Sequence, residues 1–172
     1  MNKQKLKELL KKYTEVTDEG TGDAGPILEK DIFAVEKYLG FSFHDDLRGL
    51  YLEFGNIEID NVGQYGPRLV NPYNGEISRT ADRSGIVVQT SIFRENCKDA
   101  LDSDFCIWRE DISWFVIFNN DTGKVKFYDG IAKKYSPRSD KKPGGIDLED
   151  YLIEKIQGGI DAELEWQEKH GK

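Results

Sequence analysis

Cysteine is scarce in this chain, with two among 172 residues, and histidine is equally so. Cys97 and Cys106 are not in CxxC spacing, and His44 and His170 are both distant from them, so neither a disulfide framework nor a structural zinc site is expected. Long apolar runs are missing too. Nothing approaches the roughly 18 residues that a membrane span requires, and the opening MNKQKLKELLKKY has neither the apolar segment nor the small-residue cleavage site of a secretory signal. A cytoplasmic protein with no membrane partner is the expectation. Positive charge is in deficit: 24 basic residues against 32 acidic ones give a formal charge of -8. That field repels phosphate backbones, so no nucleic-acid partner is expected, and it favours a basic protein. Catalytic signatures are sparse as well. No GxxxxGK[ST], HExxH or GxSxG is present, and no dinucleotide-binding fingerprint, metal or cofactor is expected.

With 38% hydrophobic and 12% aromatic residues, the chain can bury one good core and is short for two. One domain follows: residues 1–25 as helix and loop, 26–157 as the core, and 158–172 as a helical extension. Leu6, Leu9, Leu10 and Tyr13 recur at helical spacing over residues 3–13. A second helix over 30–39 shares a face through Ile32, Val35 and Leu39, with Gly40 placed to close it. Ser42 then caps a third, with Asp45 in its first turn and the stripe Leu47, Leu50, Tyr51 and Phe54, and Gly55 stops it.

After Asn56 the period changes from helical to two. IEID reads as a short strand, and SGIVVQTSIF as a strand over 86–89. FCIWR and SWFVIFNNDTGKVKFYDG give the clearest β signal. Residues 114–118 are continuously apolar, as a centrally placed strand would be, whereas Val125 and Phe127 alternate with Lys124 and Lys126. Asn120, Asp121, Thr122 and Gly123 form the hairpin between them. Asp147 caps a last core helix that Gly158-Gly159 is expected to end, before a separate acidic helix over 161–169. Helices, then an antiparallel meander, then helices is an α+β order.

Three stretches, VEKYLGFSFHDDLRGLYLEFGN, WFVIFNNDTGKVKFYD and IDLEDYLIEKI, together resemble the SUKH superfamily of Smi/Knr-like domains, over residues 27–156. Glu36, Leu39 and Gly40 match the first half of the family's helix–turn–helix pattern, and Phe43, Asp46, Leu50 and Phe54 match the second. His44 stands where the family usually has proline and Leu47 where it has tyrosine, and Gly55-Asn56 reverses the usual order. The resemblance implies an α+β fold with an antiparallel sheet packed against N- and C-terminal helices. It also implies an intracellular binding module without catalytic residues: an immunity protein that neutralises a polymorphic toxin, often a nuclease. A regulatory or scaffold domain of the same fold is the alternative.

A basic toxin domain suits an acidic surface. The candidate contact residues are Trp108 and Tyr128, near polar turns, with Glu110 and Asp111 between two strands, and a second acidic group, Glu53, Glu58 and Asp60, around the Gly55-Asn56 turn. Asp45 and Asp46 do not form a catalytic pair, because adjacent helical residues diverge by about 100°. A hydrolase would have to use Cys97 or Cys106 with His44. Cys106, between apolar strand residues, reads as a small buried side chain.

Overall fold

A computed structural model describes residues 1–17, 25–59, 62–63, 66–67, 85–110, 113–136 and 145–171. Among the described residues, five helices, α1 (Lys3–Thr17), α2 (Glu29–Leu39), α3 (Asp45–Phe54), α4 (Ile86–Asn96) and α5 (Leu148–His170), accompany seven strands. Strands β1 (Glu58–Ile59) and β2 (Val62–Gly63) form a small antiparallel pair. The main sheet is an antiparallel meander of β3 (Asp104–Arg109), β4 (Trp114–Asn119), β5 (Lys124–Asp129) and β6 (Lys134–Tyr135). Strand β7 (Ile146–Asp147) also pairs with β5.

The continuous apolar run of β4 is explained by its place between β3 and β5 and by the cover on both faces. Phe105, Val116, Phe118, Val125 and Phe127 face one way, into the main core, with Leu6, Leu10 and Tyr13 of α1, Leu47, Tyr51 and Phe54 of α3, and Tyr151 and Ile156 of α5. Cys106, Phe115, Ile117 and Tyr128 face the other way, into a smaller core closed by Phe93 of α4 and Cys97 just after it. Lys124 and Lys126 are half-exposed beside buried Val125 and Phe127, as the alternation predicts.

One residue disturbs the pleat. Cys106 pairs with Ile117 and Trp108 with Val116, so Ile107 is an extra residue in β3. This bulge lets Ile107 and Trp108 both enter the main core. It also brings Arg109 opposite Phe115, with its guanidinium 4.8 Å from the ring centroid on the α4 face.

The α2–α3 unit is held by side chains rather than by its short turn alone. Gly40 closes α2 at φ 82°, a left-handed value. The Glu36 carboxylate, almost buried, accepts from the Phe43 amide at 2.9 Å and lies 3.5 Å from Arg48. Ser42 is not the cap of α3. That place is taken by His44, whose Nδ1 accepts from the Asp46 amide at 3.2 Å, while the Ser42 carbonyl accepts from Asn120. The Asn120 Oδ1 in turn takes the His44 amide at 2.7 Å, fastening the turn to the β4–β5 hairpin. Gly123 closes that hairpin at φ 66°, and a Cβ there would lie 2.6 Å from the His44 ring.

Two expected boundaries change. Residues 86–89 open a helix, α4, not a strand. Ile86, Gln89, Thr90 and Phe93 are buried at spacings of three and four, so packing on the sheet overrides the β preference of the Ile-Val-Val run. The final helix does not stop at Gly158-Gly159, and α5 continues through both to His170. It runs beside α1, with the Asn2 amide on Glu149 at one end and Gln167 Nε2 on the Val16 carbonyl at the other. Gly159 marks their close approach: a Cβ would stand 2.9 Å from the Tyr13 ring and 3.0 Å from Ile59. Gly158 faces open space.

The two neighbours should therefore respond oppositely to alanine. Gly158→Ala should raise the unfolding free energy by about 0.5–1 kcal/mol through helix propensity. Gly159→Ala should lower it by about 1–3 kcal/mol through overpacking. Chemical denaturation of the two variants measures both signs, and equal shifts would mean that α1 and α5 do not touch there.

Among the described residues, no helix is long and apolar enough to cross a membrane. The letters GTGDAG at residues 20–25 do carry the GxGxxG spacing, contrary to the expectation that no such fingerprint occurs. Among the described residues the element before them is helix α1 and the main sheet is antiparallel, so the parallel βαβ setting that gives the spacing its chemistry is not found there. Residues 20–24 lie outside the described ones.

Candidate partner-binding surface

Of the seven contact residues read from the sequence, the five among the described residues do not come together as one surface. Trp108 is 2% exposed, its ring edge-on to Tyr151 in the main core. Tyr128 is equally buried on the opposite face of the sheet, stacked edge-on with Phe93 and donating its hydroxyl to the Asn96 carbonyl at 3.1 Å. Neither offers apolar area to a partner, because the bulge turns one inward and α4 covers the other. Their place near polar turns in sequence is true of the backbone and not of the rings. Trp114, read as core, is half-buried at the start of β4.

The acidic candidates divide in the same way. Glu53 receives Lys7 at 2.5 Å and Lys3 at 3.2 Å from α1, and those ammonium groups hold its carboxyl below the ordinary range. Glu110 receives Lys155 of α5 at 2.8 Å. Both carboxylates are matched within the chain, so less of their field reaches a partner. Glu58 is exposed on β1. Asp60 and Asp111 lie outside the described residues.

The helical layer carries a larger acidic excess, although Glu165 there is itself paired with Lys169 at 2.5 Å. Helix α5 has seven carboxylates against two lysines. In its last turns Asp161, Glu165 and Glu168 are exposed, at spacings of three and four, so they form one outward stripe. Leu164 and Trp166, each 44% exposed, stand on either flank, the indole stacked on His170 with centroids 4.5 Å apart. The Gln167 contact to α1 steadies this end. The acidic character of 161–169 is visible in the sequence. The exposure of its two large apolar side chains is not, because it depends on where α1 ends.

A second exposed group lies on α2, where Phe33 and Tyr38 are 61% and 45% exposed, after Leu28 at 59%. Lys30 and Lys37 are exposed on this helix together with Glu29 and Asp31, so its outer side carries charges of both signs.

The candidate nucleophiles are poorly placed for chemistry. Both cysteines are buried. Burial, partly offset by a contact to the Trp108 carbonyl and by Arg109, pushes the Cys106 thiol up to about 12, so almost no thiolate exists at neutral pH. His44 is committed to its cap through Nδ1. Among the described residues, no cluster of His, Cys, Asp and Glu is placed to hold a metal ion.

No family model matches this chain, and no curated protein matches it in sequence.

Proposed function

We propose that this chain is a protein-binding module with a Smi/Knr-like fold, an intracellular immunity protein that neutralises a basic toxin domain by covering it and breaks no bond itself. The acidic stripe Asp161, Glu165 and Glu168, flanked by Leu164 and Trp166, carries this reading. Complementary charge speeds encounter with a basic partner, and large apolar side chains beside it supply area that can be desolvated on docking. The contact surface is thus assigned to α5 rather than to the sheet, whose β5–β6 edge bears Lys124, Lys126, Lys133 and Lys134.

The positions shared with the family pattern have structural duties that suit a rigid binding domain. Glu36 holds the Phe43 amide, and Gly40 closes α2. The regulatory or scaffold reading draws on a different observation: Phe33 and Tyr38 stand exposed on α2 among charges of both signs, which suits a partner that docks through apolar area.

The deciding experiment is co-expression with the toxin encoded beside this chain's gene. Cells should survive with the wild type, and the triple variant Asp161→Lys, Glu165→Lys, Glu168→Lys should slow association at least tenfold at low salt and lose protection. These positions are exposed, so the fold should be retained. Death with the wild type rejects immunity, and full protection by the triple variant removes α5 as the contact surface.

A further inference from the structure

We infer that two copies of this chain pair on the α4 face of the sheet, each inserting Ile131 into an apolar cleft of the other. Ile131, in the β5–β6 turn, is 81% exposed, the highest value for a large apolar side chain among the described residues. It stands on the rim of a cleft of about 530 Å³, whose other apolar walls are Ile92 of α4 and Phe115 of β4. Polar groups around the cleft are already used by the chain. Asn96 Nδ2 donates to the Ile92 carbonyl at 2.7 Å, the Ser113 carbonyl takes the Gly130 amide at 2.7 Å, and the Arg109 guanidinium lies over Phe115. What the cleft offers is apolar area, and an apolar side chain is what fits it.

The turn is held in place before any contact is made. Asp129 Oδ1 accepts the amides of Ile131 and Ala132, each at 2.8 Å, and the Gly130 amide ties the turn to the residues before β4. Gly130 lies against the Phe115 ring, which a Cβ there would approach to 2.8 Å. A fixed turn loses little conformational freedom on docking. Because Ile131 lies on the rim of its own cleft, a two-fold rotation places each side chain in the other copy's cleft at once. Such an isologous contact closes with two copies and leaves no open end.

Charge favours the same arrangement. Lys133 and Lys134, both exposed, follow Ile131, and neither has an ion-pair partner among the described residues. Glu95, exposed in the last turn of α4, and Asp99, exposed just beyond it, are likewise unmatched there. The carbonyl end of α4 adds to their negative potential. Lys98 offsets part of it, while Arg94 is spent on the Asp102 and Asp104 carbonyls. The cleft separates these lysines from these carboxylates within one copy; across the two-fold, the lysines of one copy face the α4 wall of the other. The pairing is independent of the α5 reading, since α5 packs on the opposite face of the sheet and both acidic stripes stay outward. Two chains of charge -8 repel one another, so the dimer belongs to the weak class that buries less than about 1,200 Å² in total.

Sedimentation velocity on the full chain tests this, over concentrations spanning about 10 μM to 1 mM, where weak interfaces assemble. The average mass should rise from one chain toward two. Ile131→Glu, at an exposed position where folding is not at risk, should stay monomeric throughout. Lys133→Glu with Lys134→Glu should weaken the dimer at least tenfold, and adding Glu95→Lys with Asp99→Lys to the same chain should restore it. That rescue is not expected of residues that merely support the fold. A monomer at every concentration overturns the proposal and leaves the cleft to a ligand or another protein. A dimer that Ile131→Glu leaves intact, or that the charge reversals do not weaken, overturns it as well, because the contact would then lie elsewhere.

Discussion

Asp104→Ala should lower the unfolding free energy by about 3–5 kcal/mol, a large fraction of the total for a domain of this size. The Asp104 carboxylate is fully buried and accepts three hydrogen bonds: from the Leu101 amide at 3.1 Å, from Asn119 Nδ2 at 2.7 Å and from the Tyr135 hydroxyl at 2.9 Å. Truncation leaves those donors facing an apolar space, and each unsatisfied buried donor costs about 1–3 kcal/mol. Tyr135→Phe removes a single donor and should cost about 1–2 kcal/mol. The same cluster sets an alkaline limit. Burial first, and then the negative charge of Asp104, pushes the Tyr135 phenol well above its usual value. Burial first, and then Cys97, pushes Tyr128 up to about 12. Both pKa values are raised in the folded chain, so the stability tied to the neutral phenols is complete below about pH 10 and is lost as pH rises beyond it, through 12 for Tyr128. Urea denaturation from pH 8 to 12 should show a fall beginning near pH 10, shallower in Tyr135→Phe. A pH-independent wild type would mean that the phenols are solvated.

Trp108→Ala should cost a comparable amount, about 3–5 kcal/mol, because it empties the volume of a large ring in a close-packed core. Phe105, Val116, Phe127 and Tyr151 belong to the same core cluster, and Tyr151 meets the indole edge-on at 6.4 Å between centroids. With an m value of about 2 kcal/mol/M, the urea midpoint should fall by roughly 2 M. Trp166→Ala provides the contrast, since a half-exposed ring at the end of α5 should change stability by less than about 1 kcal/mol. An unchanged midpoint in Trp108→Ala would return that residue to the surface and restore it as a contact candidate.

The meander was legible because its signals are local. Lys124 and Lys126 alternate with Val125 and Phe127, and a four-residue turn ending in Gly123 joins a nearly continuously buried run to this alternating one. Helices α2 and α3 were equally plain from their stripes. Helix α4 was not, since Ile86, Val87 and Val88 favour a strand locally, and only the burial of Ile86 in the main core and of Phe93 against the sheet makes the helical spacing decisive. Gly158-Gly159 misled for a related reason. A glycine pair ordinarily ends a helix, but here one of the two is required for contact with Tyr13, a residue about 150 positions away in sequence. The candidate surface suffered most. Whether Glu53 presents its charge outward or to Lys3 and Lys7 depends on α1 lying across α3, and no spacing rule within residues 39–56 encodes that.

The extra residue in β3 reverses parity along the rest of the strand. Phe105 and Arg109 are four apart, an even separation that in an unbroken strand would send both side chains the same way, yet one enters the main core and the other crosses to the α4 side. Related chains should therefore be aligned by the length of this strand before its letters are compared. A relative one residue shorter here should keep its aromatic in the main core and its cation on the α4 side, whereas one of equal length without the bulge should exchange the two.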